Sequence, residues 1–235
     1  MRAWLLAAVA VSLSAAAAPA AVIAQYQNDF RTSGTPAPGW SYLWNATGAV
    51  GDSANYVPLV HDTNFGGDYE TQANGTRPDA PPGSNLAATS TTLYPGQGSL
   101  QAADGIPRYV IAAYTVSAAN IAAAGGGVAS LPHYHFTIPL DSVDGVDSRI
   151  YVNNTLIVDQ ILPPGLDYSD TSPGAYPVPL GTLSPGDTLY VALGPRTTDI
   201  GDALGVDYTI ELSAPEPAST GLIAIAAGFL MRRRR

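Results

Sequence analysis

Three groups of residues have types and spacings that can do chemistry. His133 and His135 flank Tyr134, and on a strand residues two apart share a face about 7 Å apart. With one further ligand, His61 or a neighbouring carboxylate, the pair would hold a transition-metal ion; without one it is two histidines on a solvated face. Asp141, Asp144 and Asp147 surround Gly145, and three carboxylates about a glycine turn can fold onto one hard cation, so a structural Ca²⁺ is a candidate cofactor. Asp199, Asp202 and Asp207 form a similar set, although aspartates are also ordinary turn formers. The third group is aromatic: Trp44, Tyr56 and Tyr69 with Asp62 and Asp68 would suit a glycan, rings stacking on sugar C–H faces and carboxylates taking hydroxyls. Trp40 is assigned to the core.

Motifs for other chemistry are missing from the chain. It has no cysteine, no Gly-x-Ser-x-Gly elbow, no His-Glu-x-x-His and no phosphate loop, and its three glutamates sit in no distinctive context. The expectation is a protein that is not an enzyme. The alternative is a metal- or carboxylate-dependent glycan-active enzyme built on His133 and His135.

These residues must be positioned by strands. Trp40, Tyr42 and Trp44 alternate with smaller residues after the turn Pro36-Ala37-Pro38-Gly39, which is the strand period with an aromatic buried face. Further strands are predicted over 56–61, 108–116, 133–140, 176–180, 188–193 and 206–212, and a hairpin joins 149–152 to 155–160 through Asn153-Asn154. Turn signals at Pro163-Pro164-Gly165, Ser184-Pro185-Gly186-Asp187 and Gly194-Pro195 separate them. Residues 64–85 read as one long surface loop, and 118–130 carry no assignment. The fold class is all-β, a jelly-roll or β-sandwich with long loops. Glycine and proline supply 44 of 235 residues, yet the β-branched runs favour a folded, loop-rich domain over a disordered one.

The ends differ in composition from the middle. Arg2 precedes an apolar stretch from Ala3 to Ala18 and small residues, the pattern of a signal peptide. Cleavage fits after Ala20, within Ala18-Pro19-Ala20, and after Ala24, within Val22-Ile23-Ala24; the second is preferred, giving a signal peptide over 1–24 and a β-sandwich domain over 25–213. That domain carries five arginines, no lysine and eighteen carboxylates, a net charge of −13. Such a field repels nucleic acid and anionic lipid, so no nucleic-acid partner is expected.

The tail, 214–235, is Pro215-Glu216-Pro217, an apolar run and Arg232-Arg233-Arg234-Arg235. Eleven to thirteen apolar residues make a short hydrophobic helix of roughly 20 Å against about 30 Å of hydrocarbon, enough for transient inner-membrane association with the arginines in the cytoplasm. Pro-Glu-Pro, a short hydrophobic segment and a terminal arginine cluster resemble the PEP-CTERM sorting signal of bacterial surface proteins. The resemblance implies processing near Pro215-Glu216-Pro217 by an exosortase and delivery to the cell envelope, cell surface or extracellular matrix. Segments such as Asp144-Gly145-Val146-Asp147 and Leu183-Ser184-Pro185-Gly186-Asp187 are similar to those of jelly-roll, carbohydrate-binding-module-like domains that accompany this signal. That likeness implies a structural or polysaccharide-binding role, with extracellular polysaccharide as the partner. Asn45, Asn74 and Asn153 open Asn-x-Thr triplets, which in a bacterial protein read as chance.

Overall fold

The computed structural model describes residues 20–63, 67–71, 86–95, 106–138, 142–169, 177–197 and 202–215. In chain order the strands are β1 (Ala21–Gln25), β2 (Trp40–Asn45), β3 (Tyr56–Pro58), β4 (Val60–Asp62), β5 (Asp68–Glu70), β6 (Ala87–Ala88), β7 (Thr92–Tyr94) and β8 (Val110–Thr115). They continue as β9 (Val128–Thr137), β10 (Val146–Val152), β11 (Thr155–Leu162), β12 (Asp167–Ser169), β13 (Val178–Thr182), β14 (Thr188–Pro195) and β15 (Leu204–Ser213). Two short α-helices, α1 (Tyr26–Asp29) and α2 (Ala118–Ala124), and a 3-10 turn (Ser53–Asn55) complete the set among the described residues.

The strands form two antiparallel sheets, as expected for an all-β sandwich. One runs β12-β9-β15-β7-β6-β5-β4, with β1 beside β15 and β13 beside β9; the other runs β11-β10-β14-β8-β2-β3. Alternating residues of both sheets meet in one core, because successive strand side chains point to opposite faces. Trp40, Tyr42 and Trp44 all point inward from β2. Tyr26, Phe30, Trp40, Tyr42, Tyr69, Tyr114 and Tyr208 form a connected aromatic cluster, with ring centroids between 4.6 and 6.4 Å apart.

In β9 the alternation is broken by an extra residue. His133 pairs with Thr209 and Ser130 with Glu211, so three steps on β9 oppose two on β15. The extra residue falls at Leu131-Pro132, where the proline has no N–H to offer the ladder. The bulge changes phase: Leu131 points inward before it, and Tyr134 and Phe136 point inward after it. His133 and His135 are thereby exposed on the outer face.

Several boundaries differ from the sequence reading. Residues 64–85 were expected to be one loop, yet 68–70 form β5, held between β4 and β6. The unassigned 118–130 holds α2, which starts at a Ser117/Asn120 capping box and stops at Gly125 (φ 68°), and then the first residues of β9. Strand periodicity could not report α2, because its seven residues carry one large apolar side chain, Ile121, and so no alternation to read. Ordered strand structure also reaches back before Gln25. Residues 21–24 belong to β1, and Ala24 is buried. The apolar stretch expected to be a signal-peptide core and the segment expected to be a C-terminal hydrophobic helix lie outside the described residues.

Candidate functional site

The candidate residues are distributed by the fold as follows. Trp44, placed by sequence in a glycan patch, is only 1% exposed and belongs to the core. Tyr69 is also buried: its hydroxyl donates to the Arg31 carbonyl at 3.0 Å and its ring lies 4.6 Å from that of Tyr42. Asp62 is buried, and Asp68 opposite it on β5 is half-buried. Burial, and then the neighbouring Asp62 charge, push the Asp68 carboxyl above its usual range. Tyr56 belongs to the other sheet, on its outer face. The five residues therefore do not make one surface, since β2 turns Trp44 inward and β3 turns Tyr56 outward.

The acidic turns fare differently. Asp141 and Asp199 lie outside the described residues. Asp144 and Asp202, one from each turn, come to the same end of the sandwich. Thr197 donates to Asp144 Oδ2 through both its N–H and its hydroxyl, and the Ser142 hydroxyl donates to Asp202 Oδ1 at 2.7 Å. Asp147, on β10, is bonded to Tyr109 and Arg149 rather than to either turn, and Asp207 sits on β15 opposite His135. His135 Nε2 lies 2.6 Å from Asp167 Oδ1, and His61 is on β4, bonded to the Thr32 carbonyl. Among the described residues no group of three histidines and carboxylates has the geometry to hold a metal ion.

A different constellation stands on the outer face of the six-stranded sheet. Alternation along β10 sends Asp147, Arg149 and Tyr151 outward. Arg149 is opposite Asp159 of β11 on one side and Ala192 of β14 on the other. Its guanidinium lies 2.9 Å from Asp147 Oδ2 and 3.4 Å from Asp159 Oδ1, and its Cζ is 5.4 Å from the centre of the Tyr109 ring. The Tyr109 hydroxyl donates to Asp147 Oδ2 at 2.6 Å. Burial, followed by that bond, raises the phenol far above its ordinary pKa, so it remains a donor. For Arg149, burial works against the charge but the neighbouring Tyr109 and Asp147 outweigh it, and the guanidinium stays ionised.

Two local features hold Tyr109 in place. Its backbone N–H donates to Asn45 Oδ1, and the Asn45 amide donates to the Gly48 and Pro107 carbonyls at 2.8 and 2.9 Å. Asn45 is wholly buried, so its triplet is structural. The ring lies across β14 at Gly194, where a Cβ would come within 2.3 Å of it. Around this cluster Pro107, Ile161, Pro195, Arg196 and Thr197 wall a cleft of about 470 Å³. Arg196 donates to the Asp144 carbonyl at 2.6 Å. Tyr190 and Tyr56, rings 5.2 Å apart, continue the aromatic surface along the same face.

The cleft carries two arginines and two aspartates, so it is close to neutral within an acidic domain. It combines fixed donors, fixed acceptors and apolar walls, which suits recognition of a polyhydroxylated ligand by hydrogen bonds and C–H contact. A second cavity, of about 310 Å³, lies between the sheets and is lined mainly by apolar side chains such as Tyr134, Phe136, Ile150 and Tyr168. Comparison with protein-family models, curated proteins and solved structures gave no match.

Tyr109, Arg149, Asp159 and Arg196 were not singled out from the sequence. A signal was present: Arg149 and Tyr151 alternate on the strand predicted over 149–152, Asp147 stands two residues ahead of Arg149, and Arg149 is one of only five arginines in the domain. A regular hairpin closed at Asn153-Asn154 would set Val158 opposite Arg149; the register shift between Ile150 and Tyr151 brings Asp159 there instead, which alternation alone does not give. Tyr109 stands just before β8 and Arg196 just after β14, and no local pattern connects them to β10.

Proposed function

We propose that this chain is an exported bacterial envelope or matrix protein, sorted through an exosortase-type pathway by its C-terminal signal, whose β-sandwich binds polysaccharide on the outer face of the six-stranded sheet. The observation that carries the binding reading is the Tyr109–Asp147–Arg149–Asp159 cluster in an open cleft. Arg149 and Asp159, half-exposed at its rim, offer a paired donor and acceptor to vicinal hydroxyls. Pro107, Ile161 and Pro195 offer apolar contact to the sugar ring. The near-neutral lining favours an uncharged glycan over an acidic one, since the domain's net charge of −13 repels polyanions.

The export reading rests on the apolar start, the Pro215-Glu216-Pro217 tripeptide and the terminal arginines. It fits a domain whose last strand ends at Ser213, with Pro215 packed against Gly126 at the domain's edge. Jelly-roll connectivity is part of the same reading, and it is supported by the chain's crossings between sheets from β8 to β9, β9 to β10 and β14 to β15.

The test is retention on a panel of insoluble neutral polysaccharides, comparing the wild type with Arg149→Ala and Asp159→Asn. Retention on at least one, weakened tenfold or more by either substitution at unchanged Tm, is the expected result. Equal retention of the variants, or no retention of the wild type on any polymer, would refute the binding reading and leave a structural role.

A further inference from the structure

We infer that the signal peptide is removed between Ala20 and Ala21, and that residues 21–24 remain in the mature protein as an integral strand. The inference rests on the export reading above, because a signal peptide must exist to be cut. Both Ala18-Pro19-Ala20 and Val22-Ile23-Ala24 place small residues where signal peptidase requires them. Local sequence therefore does not choose, but the fold does.

A cut after Ala24 would delete four of the five residues of β1. That strand occupies a defined slot. One side of β15 is paired with β9 along most of its length, and the other is shared between β7 at residues 204–205 and β1 at residues 209–212. No other described strand pairs with that second stretch. Without residues 21–24, the backbone groups of Ile210 to Leu212 on that side would lose their ladder partners next to side chains that are fully buried. Unpaired buried backbone groups are among the costlier defects a fold can carry.

The side chains and the neighbouring loop agree. Ala24 is 2% exposed and Ile23 packs against the core. The Ile23 carbonyl accepts the hydroxyl of Tyr114 at 2.8 Å, a phenol that sits in the aromatic cluster. The chain then passes directly into α1, whose Tyr26 is wholly buried, and the Gln25 N–H is fixed by Asp29 at 2.8 Å. Ala20 is exposed and outside the ladder. A cut after it leaves a new terminus at the sheet's end, level with Leu212.

The experiment is intact-mass and N-terminal analysis of the full chain recovered from an exporting Gram-negative host. The expected first residue is Ala21. A protein beginning at Gln25 would overturn the inference and leave the export reading standing, whereas a protein that keeps Met1 would remove both. Ala20→Leu, which puts a large residue at the position before the cut, should accumulate uncut precursor; unimpaired processing of that variant counts against the assignment. Two chains made without the leader, starting at Ala21 and at Gln25, give an independent readout. The shorter should melt at least about 5 °C lower or fail to fold, and equal melting temperatures would overturn the role given to β1.

Discussion

Replacing Trp44 by alanine separates a core residue from a binding residue. The indole is 1% exposed, and a buried tryptophan removes about 150–250 Å² from water. At about 25 cal/mol per Å² that is about 4–6 kcal/mol of burial, in line with the roughly 3–5 kcal/mol usual for large aromatic-to-alanine changes. One observation lowers the figure. Trp44 Nε1 is buried with no hydrogen-bond partner among the described residues, an orphan donor whose removal returns about 1–3 kcal/mol. The net loss for Trp44→Ala is therefore about 3 kcal/mol, and Trp44→Phe, which keeps most of the ring and discards the orphan, should cost less than about 1 kcal/mol. Urea unfolding followed by circular dichroism gives both numbers, and polysaccharide retention of the folded fraction gives the second readout. A Trp44→Ala protein of near wild-type stability that no longer binds glycan would refute the reasoning, since it would place the indole at the surface.

Other consequences concern the site and the titrating groups. Gly194→Ala should displace the Tyr109 ring from β14, because the new Cβ would come within 2.3 Å of it; the expected result is a loss of about 1–3 kcal/mol together with weakened polysaccharide retention. Asn45→Ala removes three hydrogen bonds to backbone groups and should cost about 3 kcal/mol or more, measured by denaturant midpoint. Tyr26 and Tyr208 are raised well above the ordinary phenol pKa, chiefly by burial, and Tyr56 is pushed up to about 12 by burial. These groups stay protonated in the native protein while the unfolded chain ionises near pH 10, so stability is full below about pH 10 and falls as pH rises. Tyrosinate absorbance from the core should appear together with loss of circular dichroism, and ionisation of all the tyrosines with the fold intact would contradict this. Asp187 is held below the usual carboxylate range by the Asn153 amide and then by the Ser184 N–H. Its contribution is present above about pH 4 and lost as pH falls through the depressed native value. Asp187→Asn should flatten the acid limb of a Tm-against-pH curve, and an unchanged limb would speak against the bond.

Strand periodicity made most of the second half legible. The hairpin at Asn153-Asn154 is present with longer arms, β10 and β11, and Asn153 takes the left-handed conformation at the turn (φ 53°). Short or interrupted elements were less visible. β5 has three residues inside a segment rich in turn formers, and it exists because β4 and β6 pair with it on both sides. The bulge at Leu131-Pro132 could not be located from alternation, since it changes which residues face the core. The aromatic patch failed for a related reason. Period 2 shows that Trp40, Tyr42 and Trp44 share a face, but only the second sheet, lying against that face, makes it the inside.

What the sequence determined by itself was the class of the molecule: a cysteine-free, acidic, strand-rich domain between two ends of different composition, with turns marked by glycine, proline, asparagine and aspartate. These properties are local or additive, so composition and short-range spacing suffice to read them. Tertiary structure decided which carboxylates meet, which aromatic rings are buried, and that residues 21–24 pair as a strand. Tyr109, Arg149, Asp159 and Gly194 become neighbours only when β8, β10, β11 and β14 are hydrogen-bonded in register. Residues 21–24 read as the end of a leader until β15, nearly two hundred residues later, supplies the hydrogen-bonding edge that makes them a strand.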